Sequence, residues 1–478
     1  MINNRLIETI FSGFQNSDKC ALISEHKEEI TYQQLFRLVT ETGTYLKEER
    51  VALLIMNNDV GAVIFYLSCL MVGTIPIILD KKVTETEVQQ YIKTYEPEFI
   101  FVPQDSEMEV VSDRSSGYGM TKAIYRHLLY ENTGVAVKDI SPLLAVLLPT
   151  SGTTHVSKLV RISKENIYDN AKNICSSLQI NETDVAITSI PLSYTYGLSV
   201  LHTHLLKHAT ILLTDKSVLQ RKFWDFANQY RATSFAGVPY TYELLEKNGH
   251  INKENTIKTY TQAGGRLPVR LQKLFMEYCL RTGKKFYVMY GQTEATARIS
   301  ILQMEYAGEK LGSVGQPIDG GKIFIETRDS AQHEGEIIYI GKNVCLGYCT
   351  CLEELKRNDE NGGVLHTGDI GSLDKDGFLY ITGRKSDFIK KYGRRICLSD
   401  IAVMMEEQYG IQAVVRYEEP VFIIVFEDRH KEKLKELEET LYLQLHLSKS
   451  DFSFRMVKEF ERTYNGKIRM GATNDKYL

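Results

Sequence analysis

Pro149 to Lys158 reads PTSGTTHVSK and follows directly on an apolar run, Leu143 to Leu148. That run has the length and composition of a buried strand. Beyond Pro149 the chain turns small and polar, through Thr150, Ser151, Gly152, Thr153 and Thr154, before it reaches the cation of Lys158. A glycine lets backbone N–H groups close on an anion, while hydroxyls and a lysine add contacts to phosphate oxygens. The stretch is not a Walker A loop, which ends in glycine-lysine-serine/threonine after an earlier glycine. Its plain alternative is a polar turn between two strands.

Four motifs further along, in fixed order, argue against a plain turn. Tyr290-Gly291-Gln292-Thr293-Glu294 reads YGQTE, and Thr367-Gly368-Asp369 reads TGD. Gly383-Arg384 opens GRKSDFIKKYGRR, and Asn465-Gly466-Lys467 stands in NGKIR. Together with PTSGTTHVSK they resemble the adenylate-forming superfamily: acyl-CoA synthetases, carrier-protein ligases, peptide-synthetase adenylation domains and luciferases. The resemblance runs from Ile30-Thr31-Tyr32 to Arg469. The loop departs from the family at His155, where glycine is usual, and at Ser157, where proline is usual.

Activation of a carboxylic acid by ATP brings two anions together. A carboxylate is a poor nucleophile toward phosphorus, so catalysis must rest on positioning and charge neutralisation around the α-phosphate. Thr150 to Lys158 would hold the phosphates, with Mg²⁺ bridging them. Glu294 supplies the hard oxygen such a metal prefers, beside the Thr293 hydroxyl. Tyr290 offers a flat face, and stacking a base on an aromatic contributes roughly 1–3 kcal/mol. The resemblance implies that Asp369 receives the ribose hydroxyls with help from Arg384. It also makes Gly264-Gly265-Arg266, in QAGGRLP, the place where backbone nears adenine and acyl group. Lys467, on a glycine-bordered turn, can reach both the attacking carboxylate and the α-phosphate, stabilising charge that builds only in the transition state.

The acid is less legible. Pro191 to Leu198, PLSYTYGL, resembles the segment lining the acyl pocket, which places Tyr194, Tyr196 and Gly197 on one wall. Val238, Pro239 and Tyr242 resemble the opposite wall. Acyl-CoA synthetases usually carry histidine where Tyr194 stands, and amino-acid activators carry an aspartate nearby. Neither is present here, which favours a neutral or hydroxylated acyl chain. Ile389 to Asp400 looks more like enzymes that load carrier proteins, so the thiol acceptor is CoA or a phosphopantetheine on an acyl carrier protein.

The chain of 478 residues carries a net charge of −4, with charged residues at 25%, an ordinary soluble balance. It speaks against nucleic acid as an obligate partner. Eight scattered cysteines read as free thiols of a reducing, cytoplasmic compartment. Cys345, Cys349 and Cys351 lack the paired spacing of a zinc site. Val60 to Leu79 has transmembrane length, yet Gly73 and Pro76 divide it into a buried helix, Val60 to Met71, and a buried strand, Ile75 to Leu79. No membrane span is expected, and the N-terminus has no basic head before a sustained apolar core.

Strands and helices alternate up to about Lys310: a helix from Thr31 to about Glu48, strands at Val51 to Ile55 and Glu98 to Val102, and a helix from Asn166 to Leu178 capped by Ser163. Such alternation implies an α/β fold of parallel sheets flanked by helices. Glycine-rich short strands follow, as in a β-rich lobe at about 310–383. The expected organisation is an adenylation domain, residues 1–383, and a mobile α+β domain, residues 384–478, hinged at Ser386. The sequence therefore reads as a ligase that forms acyl-AMP from ATP, then passes the acyl group to a thiol. An amino-acid-activating ligase and a catalytically degenerate nucleotide-binding protein are the rival readings.

Overall fold

The computed structural model describes residues 5–106, 117–150, 158–250, 254–327, 333–392, 394–445, 447–462, 468 and 476–477. Leu144–Pro149 and Leu159–Ser163 form the antiparallel pair that opens the 149–158 stretch, in register from Leu144 with Ser163 to Pro149 with Leu159. Residues 151–157, and with them Ser151, Gly152, Thr153, Thr154, His155 and Ser157, lie outside the described residues. So does Lys467.

Leu144–Pro149 also borders the parallel centre of an eight-stranded sheet, in which Ile75–Asp80, Val51–Met56 and Phe99–Pro103 run side by side. A nine-stranded sheet has a longer parallel centre, from Lys285–Tyr290 through Thr259–Gln262, Ser234–Gly237, Val185–Ile187 and Thr210–Leu213 to Cys20–Ser24. The expected parallel sheets are thus present, with antiparallel margins. Two of these margins, at Glu29–Thr31 and Ser300–Leu302, follow their partner strands after short connections. A parallel neighbour would have needed a crossover of a dozen or more residues.

Val60 to Leu79 divides as expected. Val60–Val72 is a buried helix whose first turn is capped by Asp59, which accepts from the Ala62 N–H at 2.9 Å. Gly73 ends it, and the chain re-enters the sheet at Ile75–Asp80. Among the described residues no helix is long and apolar enough to cross a membrane. Ser163 caps Lys164–Leu178 through the Asn166 N–H, and the Asn166 side chain returns the bond. The helix after Thr31 is shorter than expected, Tyr32–Gly43, because glycine and then Thr44 are poor residues with which to extend it.

The β-rich lobe is an antiparallel sheet of Lys322–Glu326, Gly335–Ile340, Val364–Leu373 and Leu379–Arg384. The smaller C-terminal domain pairs Ala413–Glu418, Val421–Glu427, Phe452–Val457 and Lys476–Tyr477. Its helices Leu398–Tyr409 and Leu434–Leu445 bury Met405, Leu437 and Leu441 against Phe422 and Ile424 in a core of their own. The second helix begins at Leu434, after a 3-10 turn at Asp428–Lys433.

Arg161 fastens the sheet to the site described below. Fully buried, it donates to the carbonyls of Tyr348 (3.0 Å), Leu346 (3.1 Å) and Asn358 (3.3 Å) and pairs with Glu360. These bonds hold Gly347–Cys349 beside Leu159–Ser163. A buried acceptor left without a donor costs about 1–3 kcal/mol. Arg161→Met is therefore expected to lower stability in denaturant unfolding by about 3 kcal/mol or more. An unchanged midpoint would show that this strand is held by its backbone pairing alone.

Candidate functional site

The ends of the 149–158 stretch are drawn together by the Thr150 N–H, which donates to the Lys158 carbonyl at 3.0 Å. Lys158 is exposed, and its ammonium lies 3.4 Å from the centre of the Tyr348 ring. The Tyr348 hydroxyl donates to Glu294 Oε1 at 2.9 Å. Burial and this carboxylate push the Tyr348 pKa up, so the phenol stays a donor. A lysine at the foot of the phosphate stretch, an aromatic ring and the expected metal carboxylate thus form one row.

Glu294 stands in a single 3-10 turn, Thr293–Ala295, at the end of Lys285–Tyr290. Its carbonyl accepts from the Cys345 N–H at 2.8 Å, which joins the turn to the segment bearing Tyr348. Thr293 Oγ1 accepts from Thr195 Oγ1 at 3.0 Å, joining the same turn to the expected acyl wall. Gly291 sits so close to the returning chain that a Cβ there would meet the Ala297 carbonyl oxygen at 1.8 Å. Only glycine permits that crossing.

A second group gathers on Asp369, which lies in Val364–Leu373 and is 4% exposed. Its Oδ2 accepts from the Tyr290 hydroxyl and from Gln292 Nε2, both at 2.6 Å. Arg384 Nε faces Oδ1 at 3.3 Å. Burial, with Asp369 alongside, holds the Tyr290 pKa well above its ordinary value, which keeps the hydroxyl donating. The Tyr290 ring itself packs with Ile323, Tyr339 and Leu365, so in this state its hydroxyl, more than its face, is available to the site. Gln292 also donates to the Thr367 carbonyl at 2.9 Å. Three sequence motifs that lie far apart along the chain therefore meet on one carboxylate.

The glycine pair touches both of the expected acyl walls. Gly264 has φ +86°, and a Cβ on it would lie 3.1 Å from the Tyr194 hydroxyl and 3.2 Å from Val238. The Gly265 position faces Pro239 in the same way, and its carbonyl accepts from Gln262 Nε2 at 2.9 Å. Arg266 is exposed next to them. Tyr196 is buried, with its hydroxyl donating to the Thr261 carbonyl at 3.0 Å, and Gly197 follows it in the helix Thr195–Leu206. The cradle narrows where backbone replaces side chain, as close approach by a flat ligand requires.

Ser386 occupies the middle of a 3-10 turn, Lys385–Asp387, that leads out of Leu379–Arg384. Burial pushes the Cys345 and Cys349 thiols up to about 12, so both are protonated, and they stand as ordinary packed thiols. Tyr348 and Thr195 were missed by reading the sequence. Tyr348 lies in no motif, and Thr195, though within PLSYTYGL, was given no role there; each reaches the site only through strand pairing or a helix start.

A family model described as AMP-binding enzyme matches residues 12–349. A 2-succinylbenzoate–CoA ligase of Bacillus cereus is 28% identical over 397 residues, covering 80% of this chain and 79% of that protein. The o-succinylbenzoate CoA synthetase of Bacillus subtilis, solved with the acyl-adenylate intermediate, superposes with a TM-score of 0.78 at 22% identity, covering 99% of each chain. The same enzyme solved with ATP and a magnesium ion gives a TM-score of 0.74 at 22% identity, covering 97% of this chain and 98% of that one.

Proposed function

Because the chain belongs to the AMP-binding enzyme family, we propose that it is an acid–CoA ligase working through an acyl-adenylate. A carboxylate oxygen attacks the α-phosphorus of ATP, pyrophosphate leaves, and the thiol of CoA then displaces AMP from the acyl carbonyl. The observation that carries this reading is the carboxylate of Asp369, placed by Tyr290, Gln292 and Arg384. An acceptor fixed by three donors is preorganised for a pair of vicinal hydroxyls such as those of ribose. CoA is favoured as acceptor by the CoA ligases among the relatives.

The residues present suit ATP and Mg²⁺. Glu294 is a hard oxygen donor held by Tyr348, and Mg²⁺ bound there would neutralise phosphate charge. Lys158 and the Thr293 hydroxyl face the same region, and Gly264 leaves room for a base against Tyr194. Glu294→Gln keeps the size and loses the charge. It is expected to raise the magnesium concentration needed for half-maximal rate at least tenfold while leaving AMP affinity within about threefold. Equal activity at limiting magnesium would make Glu294 structural.

Residues 1–383 and 384–478 are proposed as the two moving bodies, with the pivot at Lys385–Asp387. Lys385 pairs with Glu336 of the β-rich lobe at 2.7 Å, while Asp387 accepts from Ser399 of the C-terminal domain at 2.6 Å. Ser386 is exposed between these two anchors.

The test is ATP–pyrophosphate exchange across aliphatic, aromatic, dicarboxylic and amino acids, followed by thioester formation with CoA or a carrier protein. Exchange with non-amino acids and thioester formation on CoA are expected. Exchange confined to amino acids would establish the amino-acid ligase, and AMP binding without any exchange the degenerate protein. Acylation of a carrier protein alone would transfer the acceptor role to it.

A further inference from the structure

Arg298 lies four residues beyond Glu294 and is 2% exposed. Its guanidinium sits 4.7 Å from the centre of the Tyr196 ring. Nε and Nη1 are buried with no hydrogen-bond partner, and among the described residues no carboxylate forms an ion pair with it. Burial lowers its pKa, and the phenols of Tyr196 and Tyr194 lie alongside it. A buried charge is ordinarily paired, because its desolvation is otherwise uncompensated.

Arg298 lines a cavity. Tyr196, Ser199, Thr203, His204, Thr261 and Arg298 give it polar groups within an otherwise apolar lining. The centre of a water has about 20 Å³ there, room for a single water. His204 donates from Nδ1 to the Val200 carbonyl at 2.9 Å, and its Nε2 is likewise buried without a partner. Tyr196 belongs both to this cavity and to the acyl wall, so Arg298 stands directly behind the surface that the acid would meet.

We propose that Arg298 is the anchor for a second anionic group on the acid, and that the substrate is therefore a dicarboxylic acid whose far carboxylate enters the cavity beside Tyr196. This rests on the acid–CoA ligase reading, and it replaces the neutral or hydroxylated chain expected from the sequence. One oxygen of the far carboxylate would take the place of the water that the cavity can hold and accept from the guanidinium. The near carboxylate would remain at the glycine pair. The substrate named for the relatives, 2-succinylbenzoate, is itself a dicarboxylic acid. The bland alternative is a single water linking Arg298 to His204, with no part in substrate choice.

The test compares matched acids, 2-succinylbenzoate with 3-benzoylpropionate and succinate with butyrate, by pyrophosphate exchange and by the rise in melting temperature that each acid causes. Wild type is expected to prefer the diacid of at least one pair by about 100-fold in kcat/KM. Arg298→Met should remove that preference through KM, leaving the monoacid and ATP within about threefold. Arg298→Lys, which keeps the charge, should retain part of it. Equal use of both acids of each pair by wild type would overturn the proposal without recourse to any variant. So would an equal loss on both acids in Arg298→Met, which is the outcome a bridging water predicts. A diacid that raises the wild-type melting temperature but not that of Arg298→Met, with no exchange from any acid, would sustain the anchor and sink the ligase.

Discussion

Lys467→Ala is expected to slow adenylate formation by about 10²–10³-fold, the usual loss when one preorganised charge-stabilising contact is removed. Thiol attack on a supplied acyl-adenylate should be nearly unaffected. The asymmetry follows from where charge develops. While the acid attacks, negative charge accumulates between carboxylate and α-phosphate, and a cation there acts only on that step. When the thiol attacks, the phosphate is already leaving as part of AMP. Arg462 and Ile468 are the nearest described residues to Lys467 in the chain. Arg462 pairs with Ile468 in an isolated bridge, and its guanidinium lies 4.1 Å from the centre of the Tyr240 ring. Tyr240 belongs to the helix that opens with Pro239. Ile468 in turn packs with Ile423, Val425, Val457 and Phe460. Exchange within a few-fold of wild type in Lys467→Ala would remove this lysine from the reaction.

How much of this was legible depends on whether a feature is local. Val60 to Leu79 could be divided from the sequence because a glycine and a proline interrupt it within a few residues. Ser163 could be assigned as a cap because its partner Asn166 is three residues away. The antiparallel margins could not, since Ser300–Leu302 and Gly347–Cys349 are too short to show a pattern and declare themselves only by what they pair with. The same holds within the site. Asp369, Tyr290 and Gln292 stand in motifs, but their common hydrogen bonds join residues more than 70 positions apart. Tyr348 reached Glu294 only because Arg161 and a strand pairing put it there. Arg298 lies outside the motifs and drew no reading from the sequence. Its burial is a property of the packed helix Thr195–Leu206 and its neighbours, which no local pattern encodes.

Ser386→Pro is expected to separate the two half-reactions, preserving one and slowing the other by about 10–100-fold. On the proposed reading Lys467 serves the site while the adenylate forms, and the thiol afterwards needs an open path to the same carbonyl. One rigid arrangement would not provide both, so the C-terminal domain is proposed to turn, and hinges are a few element-end residues that absorb large φ/ψ changes. Ser386 is placed for that. Arg384 is held by Asp369 and Lys385 by Glu336 on one side, and Asp387 is held through Ser399 on the other. Whatever rotation occurs is thereby concentrated on the bonds of residues 385–387. Proline fixes φ at about −65°, a value the 3-10 turn already accommodates, and it drives the preceding residue, Lys385, out of the helical region. Holding a residue in a disfavoured region costs about 1–3 kcal/mol, which is a factor of about 10–100 in the population of that orientation. The turn described here has Lys385 in its first position, so this is the orientation the substitution penalises. Pyrophosphate exchange and thioester release, measured separately on the same preparation, decide the matter. Wild-type rates in both would place the pivot elsewhere. Equal loss in both with an unchanged melting temperature would show that the two steps share one orientation, and the requirement for a swing would fall with it.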